Sequence, residues 1–379
     1  MARPPHILIA GGGTGGHVYP AIAIADAIQA ARPEARVIFA GTEDRLEARA
    51  VPEAGYALHP ITVRGFQRSL SAENLAFPVK LAQGLWESWK LVGAIDPDVA
   101  VGTGGYVAGP VLFAAWMRGR PLLIQEQNAY AGVTNRLLGL VASRIHAAFP
   151  EAEDDLPSGR TTITGNPVRR SLTETSPDAA RRALGLPADA RVLLVFGGSL
   201  GSKALNDVLE THLPEILDAG GETDRPVHVI WQTGSRYFDD LVDRLAGTAL
   251  DDHPRLQVRE YIDRMDRAYA AADLALCRAG ALTSSELLVT GTPSILVPSP
   301  NVVADHQTKN ARSMERTGAA RMLPEADLDD RFVPMVRDLL LDDATRAEMA
   351  GAARAAAQPD AAERIAADVL ALANAHRPT

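Results

Sequence analysis

A single cysteine, Cys277, stands among 379 residues, so no internal disulfide can form and the chain fits a reducing compartment. Lysine is nearly as scarce. Lys80, Lys90, Lys203 and Lys309 are four of 38 basic residues, a bias of composition rather than of mechanism. Acidic residues outnumber basic ones by 47 to 38, and a net charge of −9 makes a poor general binder of nucleic acid. No apolar run suits a membrane span. Residues 99–117 carry no charge, close to the about 20 residues that cross a bilayer. Gly102, Gly104, Gly105, Gly109 and Pro110 would interrupt a helix there, and Gly291, Pro293, Pro298 and Pro300 break up 287–304 in the same way. At the N-terminus, Arg3 precedes an apolar segment (6–10) that meets glycine at once, too short for a signal peptide. A cytoplasmic, non-spanning chain is expected.

What is present is the balance of a soluble globular protein, 46% hydrophobic and 22% charged. The length suits two or three domains, each able to bury its own core. Apolar runs alternate with helical stretches, the pattern of parallel-sheet α/β domains. Residues 7–10, 37–40, 99–101 and 122–125 read as strands, with helices at 20–31 and from about Pro110. The opening recurs halfway, with a strand at 191–196, a glycine turn at 197–201 and a helix starting at 203–209. Strands at 227–232, 256–259, 274–277 and 294–297 follow. This predicts two Rossmann-like domains joined near 165–178, where Asn166-Pro167 and Ser176-Pro177 mark extended or turn backbone. The alanine-rich segment 347–376 reads as helix and could pack back across either half.

Residues 11–16, GGGTGG, satisfy G-x-G-x-x-G between a strand and a helix. Amides of such a turn approach a phosphate, and the helix N-terminus adds about half a positive charge. A plain tight turn is the alternative. A dinucleotide site expects an acidic residue about 20 positions on, at the end of the second strand, where Ala40-Gly41-Thr42 stands instead; NAD is disfavoured. GTGGY (102–106) and GGSLG (197–201) add two more turns at strand C-termini, the edge where open α/β sheets hold ligands. Together they suit a diphosphate and a sugar held between two domains. Asp96-Pro97-Asp98 resembles the D-x-D metal motif of sugar transferases but precedes a strand, at the opposite edge, and reads as a turn. No His, Cys or carboxylate cluster has metal-ligand spacing, so no protein-held cofactor is expected, with soluble magnesium allowed.

Nine segments then occur in order: GGGTGGHVYP (11–20), GTGGYVAGP (102–110), EQNAYAGVTNR (126–136), TGNPVR (164–169), GGSLGSKALN (197–206), WQTGSR (231–236), YIDRM (261–265), CRAGALTSSE (277–286) and DHQTKNA (305–311). The set resembles the MurG family of bacterial peptidoglycan N-acetylglucosaminyltransferases, which convert lipid I to lipid II, over nearly the whole chain. Gln125 and Leu200 depart from it, where the family often has histidine and glutamine. The resemblance implies a GT-B fold, two Rossmann-like domains with parallel sheets facing an interdomain cleft. Residues 1–166 would form the acceptor and membrane-docking domain and 167–354 the UDP-GlcNAc domain, with a C-terminal helix (about 355–379) crossing back. The partners implied are UDP-GlcNAc, lipid I and an anionic membrane surface at the cytoplasmic face of the cell membrane. No nucleic acid is implied, and nothing specifies an oligomeric state.

His17 opens a helix, where it could bond locally or face the cleft as a general base, with Glu126 as the other candidate. Glu286 is either a first-turn or capping-box glutamate after Thr283 or, by the resemblance, the carboxylate that accepts both ribose hydroxyls of UDP. Arg169 is a surface ion-pair residue or a diphosphate clamp. By motif match Arg169 and Ser199 contact phosphates, Asn128 and Gln307 read sugar hydroxyls, and the Ile262 backbone with Leu282 frames the uracil. Thr14, Gly15 and Gly16 join the donor site, as do Ala281, Thr283, Ser284 and Ser285. Cys277 reads as a buried strand residue rather than a nucleophile.

Phe77, Val79, Leu81, Leu85, Trp86 and Trp89 cluster with Lys80 and Lys90, and Trp116, Arg118 and Arg120 follow in the same half. Such stripes are commonly core. Tryptophans beside lysines also suit an interfacial patch on an anionic bilayer, and the lipid acceptor of the family favours that reading. The rival activities are another GT-B enzyme using UDP-GlcNAc (an epimerase or a different transferase), a Rossmann dehydrogenase, and a nucleotide-sugar-binding membrane adaptor.

Overall fold

The computed structural model describes residues 3–63, 77–222, 225–302 and 305–376. The chain forms two compact units, Met1–Arg169 with Gln358–Thr379, and Arg170–Ala357. The first runs β1 (His6–Gly11), α1 (Gly15–Ala31), β2 (Arg36–Gly41), α2 (Leu46–Glu53), β3 (Ala57–Pro60), α3 (Phe77–Ile95), β4 (Val99–Gly104), α4 (Gly105–Met117), β5 (Leu122–Glu126), α5 (Val133–Gly139), β6 (Arg144–Ala147) and β7 (Thr161–Ile163). Its seven strands are parallel in the order β3-β2-β1-β4-β5-β6-β7. Alternate residues face opposite layers. Leu8, Ile38, Ala100 and Ile124 pack with Val107, Val111 and Leu112 of α4. Ile7, Ile9, Phe39 and Val101 pack with Ile24 and Ile28 of α1 and with Ile365, Val369 and Ala373.

The second unit runs α6 (Ser171–Glu174), α7 (Pro177–Ala183), β8 (Arg191–Phe196), α8 (Lys203–Asp218), β9 (Val227–Gln232), α9 (Phe238–Leu245), β10 (Leu256–Arg259), α10 (Met265–Ala271), β11 (Leu274–Cys277), α11 (Ala281–Thr290), β12 (Ser294–Leu296), α12 (His306–Arg316), β13 (Ala320–Met322), α13 (Leu328–Leu341) and α14 (Asp343–Ala356). Its parallel sheet has the order β10-β9-β8-β11-β12-β13, around a core that includes Leu193, Val195, Trp231, Leu276 and Phe332. The last helix, α15 (Ala361–His376), belongs to the first unit and lies on α1.

Three expectations change. Helices α1 and α4 each start on a glycine and carry a proline five residues on (Gly15 to Pro20, Gly105 to Pro110). Each helix forgoes one backbone bond in its second turn instead of starting at the proline. The single helical segment at 347–376 is two helices, parted where Pro359 removes a donor and disfavours helix at Gln358. Strands β3, β6, β7 and β13 join those expected, three of them at or ending a sheet edge.

Strand order reverses once in each sheet, between β1 and β4 and between β8 and β11. Chains leaving those neighbouring strands turn to opposite faces, which opens a crevice outside their carboxyl ends. The turns at 11–15 and 102–105 flank the first reversal, and those at 197–202 and 278–281 the second. Asp96 and Asp98 lie at the other end of β4. Asp98 accepts from the His6 amide (2.8 Å) and Arg3 (2.7 Å), and Asp96 from Arg120 (2.5 Å).

Candidate active site

At the β1/β4 reversal the first glycine turn rests on a carboxylate that the sequence did not single out. Glu47 of α2 is fully buried and accepts from the Gly13 amide (2.9 Å), the Thr42 amide (3.1 Å) and the Thr42 hydroxyl (2.7 Å). The Gly13 amide is thus taken by the protein's own anion. Thr14 is exposed, and its carbonyl accepts from His17 and Val18 as α1 begins. Gly15 and Gly16 are half-buried in the first turn of α1.

His17 is half-buried and points its Nδ1 at the Thr103 carbonyl (2.9 Å) and the Gln127 Oε1 (3.1 Å). Gly104 makes room for it: φ is +98°, and a Cβ there would come within 2.7 Å of His17 Nδ1. Both partners are oxygens that only accept, so Nδ1 carries the hydrogen and Nε2 carries the lone pair. Glu126 has another task. Buried at the end of β5, it accepts from the Asn128 amide (3.0 Å) and side chain (3.3 Å), the Gly132 amide (3.0 Å) and the Asn135 side chain (2.8 Å). With four donors on two oxygens it organises the loop into α5. Asn128 is held by it, half-buried, beside the rim. The Arg169 guanidinium stacks 5.4 Å from the Tyr19 ring of α1, so Arg169 sits with the first unit.

At the β8/β11 reversal the second glycine turn is braced by neutral groups. Gln232 donates to the Gly198 carbonyl (3.0 Å) and accepts from the Ile262 amide (2.9 Å). Asn206 donates to the Thr233 carbonyl and accepts from the Trp231 indole, both at 3.0 Å. Gly201 has φ of +79° because a Cβ would strike the Thr233 backbone. The GGSLGSKALN, WQTGSR and YIDRM segments are therefore one hydrogen-bonded block, with Ser199 exposed on its turn. Among the described residues no carboxylate is bonded to this turn.

Helix α11 starts at Ala281 after Gly280 in extended conformation, with no side-chain cap. Glu286 therefore lies in the second turn, which removes the first-turn and capping-box alternatives. It is buried and accepts from the Tyr269 hydroxyl (3.0 Å). Leu282 and Thr283 are in the first turn, whose amides have no carbonyl four residues back. Ser284 and Ser285 are buried, and the Ser285 hydroxyl donates to the Ala281 carbonyl. Gln307 of α12 accepts from the Ser299 amide (2.9 Å) through its oxygen, which leaves its nitrogen to donate. Cys277 is fully buried, and burial pushes its thiol pKa up, with Glu286 adding to the shift.

The aromatic stripe is not core. Trp86 is 59% exposed with Lys90 4.8 Å from its ring, and Trp89 lies under Arg118 at 4.0 Å. Trp116 and Phe113 of α4 are exposed and adjacent. The surface continues onto α5, where Val133, Leu137 and Leu140 (69, 65 and 67% exposed) flank a groove of about 430 Å³ between α4 and α5. Their i, i+4, i+7 spacing was a readable signal. Lys80 is half-buried, and the side chains of Phe77, Val79 and Leu81 lie outside the described residues. Among the described residues no helix is long and apolar enough to cross a membrane, and no group of three His, Cys, Asp or Glu could hold a metal.

Residues 7–147 match the glycosyltransferase family 28 N-terminal domain, and residues 192–365 the glycosyltransferase family 28 C-terminal domain. The chain is 65% identical, over 99% of both chains, to a Salinibacter ruber protein named UDP-N-acetylglucosamine--N-acetylmuramyl-(pentapeptide) pyrophosphoryl-undecaprenol N-acetylglucosamine transferase. A Bacteroides thetaiotaomicron protein of the same name is 40% identical over 99% of this chain and 100% of its own. Among solved structures, Acinetobacter baumannii MurG superposes with a TM-score of 0.72 at 32% identity, covering 97% of this chain and all of that one. A putative UDP-N-acetylglucosamine 2-epimerase from Listeria monocytogenes gives 0.69 at 14% identity over 96% of this chain and 95% of its own, a likeness of fold alone.

Proposed function

The chain belongs to glycosyltransferase family 28, and from that premise we propose that it transfers N-acetylglucosamine from UDP-GlcNAc to the lipid-linked N-acetylmuramyl-pentapeptide, lipid I, giving lipid II. The observation that carries this reading is the 65% identity, end to end, with the Salinibacter ruber transferase. The N-terminal unit takes the acceptor and the C-terminal unit the donor.

The 4-hydroxyl of the acceptor muramyl sugar attacks C1 of the donor sugar and loses its proton to His17 Nε2. The new O4–C1 bond forms as the bond from C1 to the UDP oxygen breaks. One in-line displacement converts an α-linked donor into a β-linked product without a covalent enzyme intermediate. Charge on the departing diphosphate is met by the amides of the 197–201 turn, the Ser199 hydroxyl and Arg169, with soluble magnesium able to pair with it. Glu286 accepts the ribose hydroxyls, and Leu282 with the Ile262 carbonyl frames the uracil, since the Ile262 amide is held by Gln232. Asn128 and Gln307 read the sugar. The tryptophan patch, flanked by Lys80, Lys90 and Arg118, docks the enzyme on an anionic membrane at its cytoplasmic face.

Transfer of radiolabel from UDP-GlcNAc to a lipid I analogue tests the reaction. Labelled disaccharide-lipid is expected; epimerised sugar, or no lipid product, overturns it. Sedimentation with anionic vesicles but not neutral ones is expected of the patch, and equal recovery with both overturns its role.

A further inference from the structure

A closed chain of three buried carboxamides ends on the histidine of the N-terminal rim. Gln127 presents its Oε1 to His17 Nδ1 at 3.1 Å. Its Nε2 is surrounded by acceptors: the Thr103 carbonyl (2.6 Å), the Gln125 carbonyl (3.1 Å) and the Gln125 Oε1 in close contact. Gln125 in turn donates to the Asn166 Oδ1 (2.8 Å) and the Glu126 carbonyl (3.2 Å). Asn166 donates to the main-chain carbonyl of Gln127 (3.0 Å), which closes the circuit. Gln125, Gln127 and Asn166 are all fully buried or nearly so.

The direction of this chain is fixed at both ends by groups that cannot reverse. The Thr103 and Gln127 carbonyls are backbone acceptors. Turning the Gln127 amide over would place its oxygen among three oxygens and its nitrogen against His17. Each buried group so stranded would lose its partner without gaining water. The orientation drawn is therefore the one the surroundings allow. It places an oxygen, never an N–H, at His17 Nδ1.

We infer that Gln127 is a positioning residue that, together with the Thr103 carbonyl, holds His17 in the Nδ1–H tautomer, with Gln125 and Asn166 as the supports that keep its amide from turning. The consequence is chemical. The lone pair then stands on Nε2, away from the carboxamides, ready for a hydroxyl proton. In the opposite tautomer Nε2 would present a hydrogen to the acceptor. In the serine-protease triad an imidazole held in the wrong tautomer loses about 10⁴ in turnover, which sets the scale. Unlike that triad, this support is uncharged, so it fixes a proton's place without a carboxylate at His17 Nδ1.

The inference rests on His17 being the base, and its test separates the two. The test uses the full chain with ¹⁵N-labelled histidine. The signal that vanishes in His17→Ala identifies His17, and its nitrogen shifts report the tautomer independently of turnover. Wild type is expected to show the proton on Nδ1. Gln127→Met, which keeps length but leaves the Thr103 carbonyl as the one remaining acceptor at Nδ1, should raise the fraction with the proton on Nε2, lower kcat by about tenfold and keep the donor KM within about threefold. Asn166→Ala, two links away, should shift both readouts the same way by less, and stands alone if Gln127→Met does not fold. A wild-type proton on Nε2 overturns the inference, as do variants that keep both the wild-type tautomer and turnover. Near-normal turnover in His17→Ala would remove the base assignment while leaving the tautomer result to be read by itself.

Discussion

Beneath the glycine turn of the N-terminal unit lies a carboxylate; beneath that of the C-terminal unit lie two carboxamides. Both turns follow the first strand of a parallel sheet, and both flank the place where strand order reverses. Yet Glu47 takes the Gly13 amide, and Glu126 is buried at the end of β5, two strands from β1. Gln232 braces the second turn through the Gly198 carbonyl, Asn206 holds the neighbouring Thr233 carbonyl, and Gly198, Ser199 and Leu200 lie exposed. One rim is closed on its own anions and suits proton transfer from a neutral hydroxyl. The other turn has no carboxylate bonded to it among the described residues and suits an incoming diphosphate. A glycine pattern alone does not choose between these uses; what fills the space below it does.

The sharpest way to break this contrast is His17→Ala. Loss of a general base typically costs about 10²–10⁴ in rate, so kcat should fall within that range while donor affinity stays within a few-fold. Steady-state kinetics with both substrates read the split. A large loss of donor affinity would show that the N-terminal rim holds the nucleotide after all.

Glu47→Ala tests what the buried anion does. It strands the Gly13 amide and both Thr42 donors, and a loss of about 2–4 kcal/mol is expected by urea unfolding. Stability within about 0.5 kcal/mol of wild type would mean that the turn does not need its carboxylate. In the C-terminal unit, Glu286→Ala should lower UDP-GlcNAc affinity by about 10- to 100-fold, the range of charge-assisted hydrogen bonds, with little change in stability. Tyr269→Phe removes only the donor to Glu286, and a weakening of about three- to tenfold is expected by calorimetry.

The long buried strands and the turns at their ends were legible because a strand covered on both faces reads as a continuous apolar run. Ala57–Pro60, Thr161–Ile163 and Ala320–Met322 were not, being short, partly exposed and defined by the neighbour they pair with. Glu47 was missed for a related reason. An acid was sought at the end of β2, and it came five residues after Thr42 on α2, where only the fold turns it under the loop. Glu286, Ser199 and His17 carried motif signals. Gln127 lay within the EQNAYAGVTNR segment without standing out there, because the identity of a relay lies in which atoms face which.

The smallest expected effect asks whether anions in the C-terminal unit serve the scaffold away from its rim. Asp266, at the start of α10 in the segment that follows Ile262, accepts from Arg264 through two bonds (2.9 and 2.7 Å) and from the Thr175 hydroxyl (2.8 Å). The Arg264 guanidinium beside it, with Thr175, outweighs burial and holds its carboxyl pKa at about 2, below the usual 3.8. A carboxyl depressed on folding contributes stability that is complete above its unfolded pKa and is lost as pH falls through the folded one. Its contribution should therefore be full at pH 7 and fade between about pH 4 and pH 2. Asp266→Asn should lower the urea midpoint at pH 7, and the gap to wild type should narrow as the pH is brought below 3. Donor affinity at pH 7 should move by less than in Tyr269→Phe, since the side chain is engaged with Arg264 and Thr175. A gap that stays constant with pH, or a donor affinity that collapses, would place this carboxylate in the site instead of beneath it.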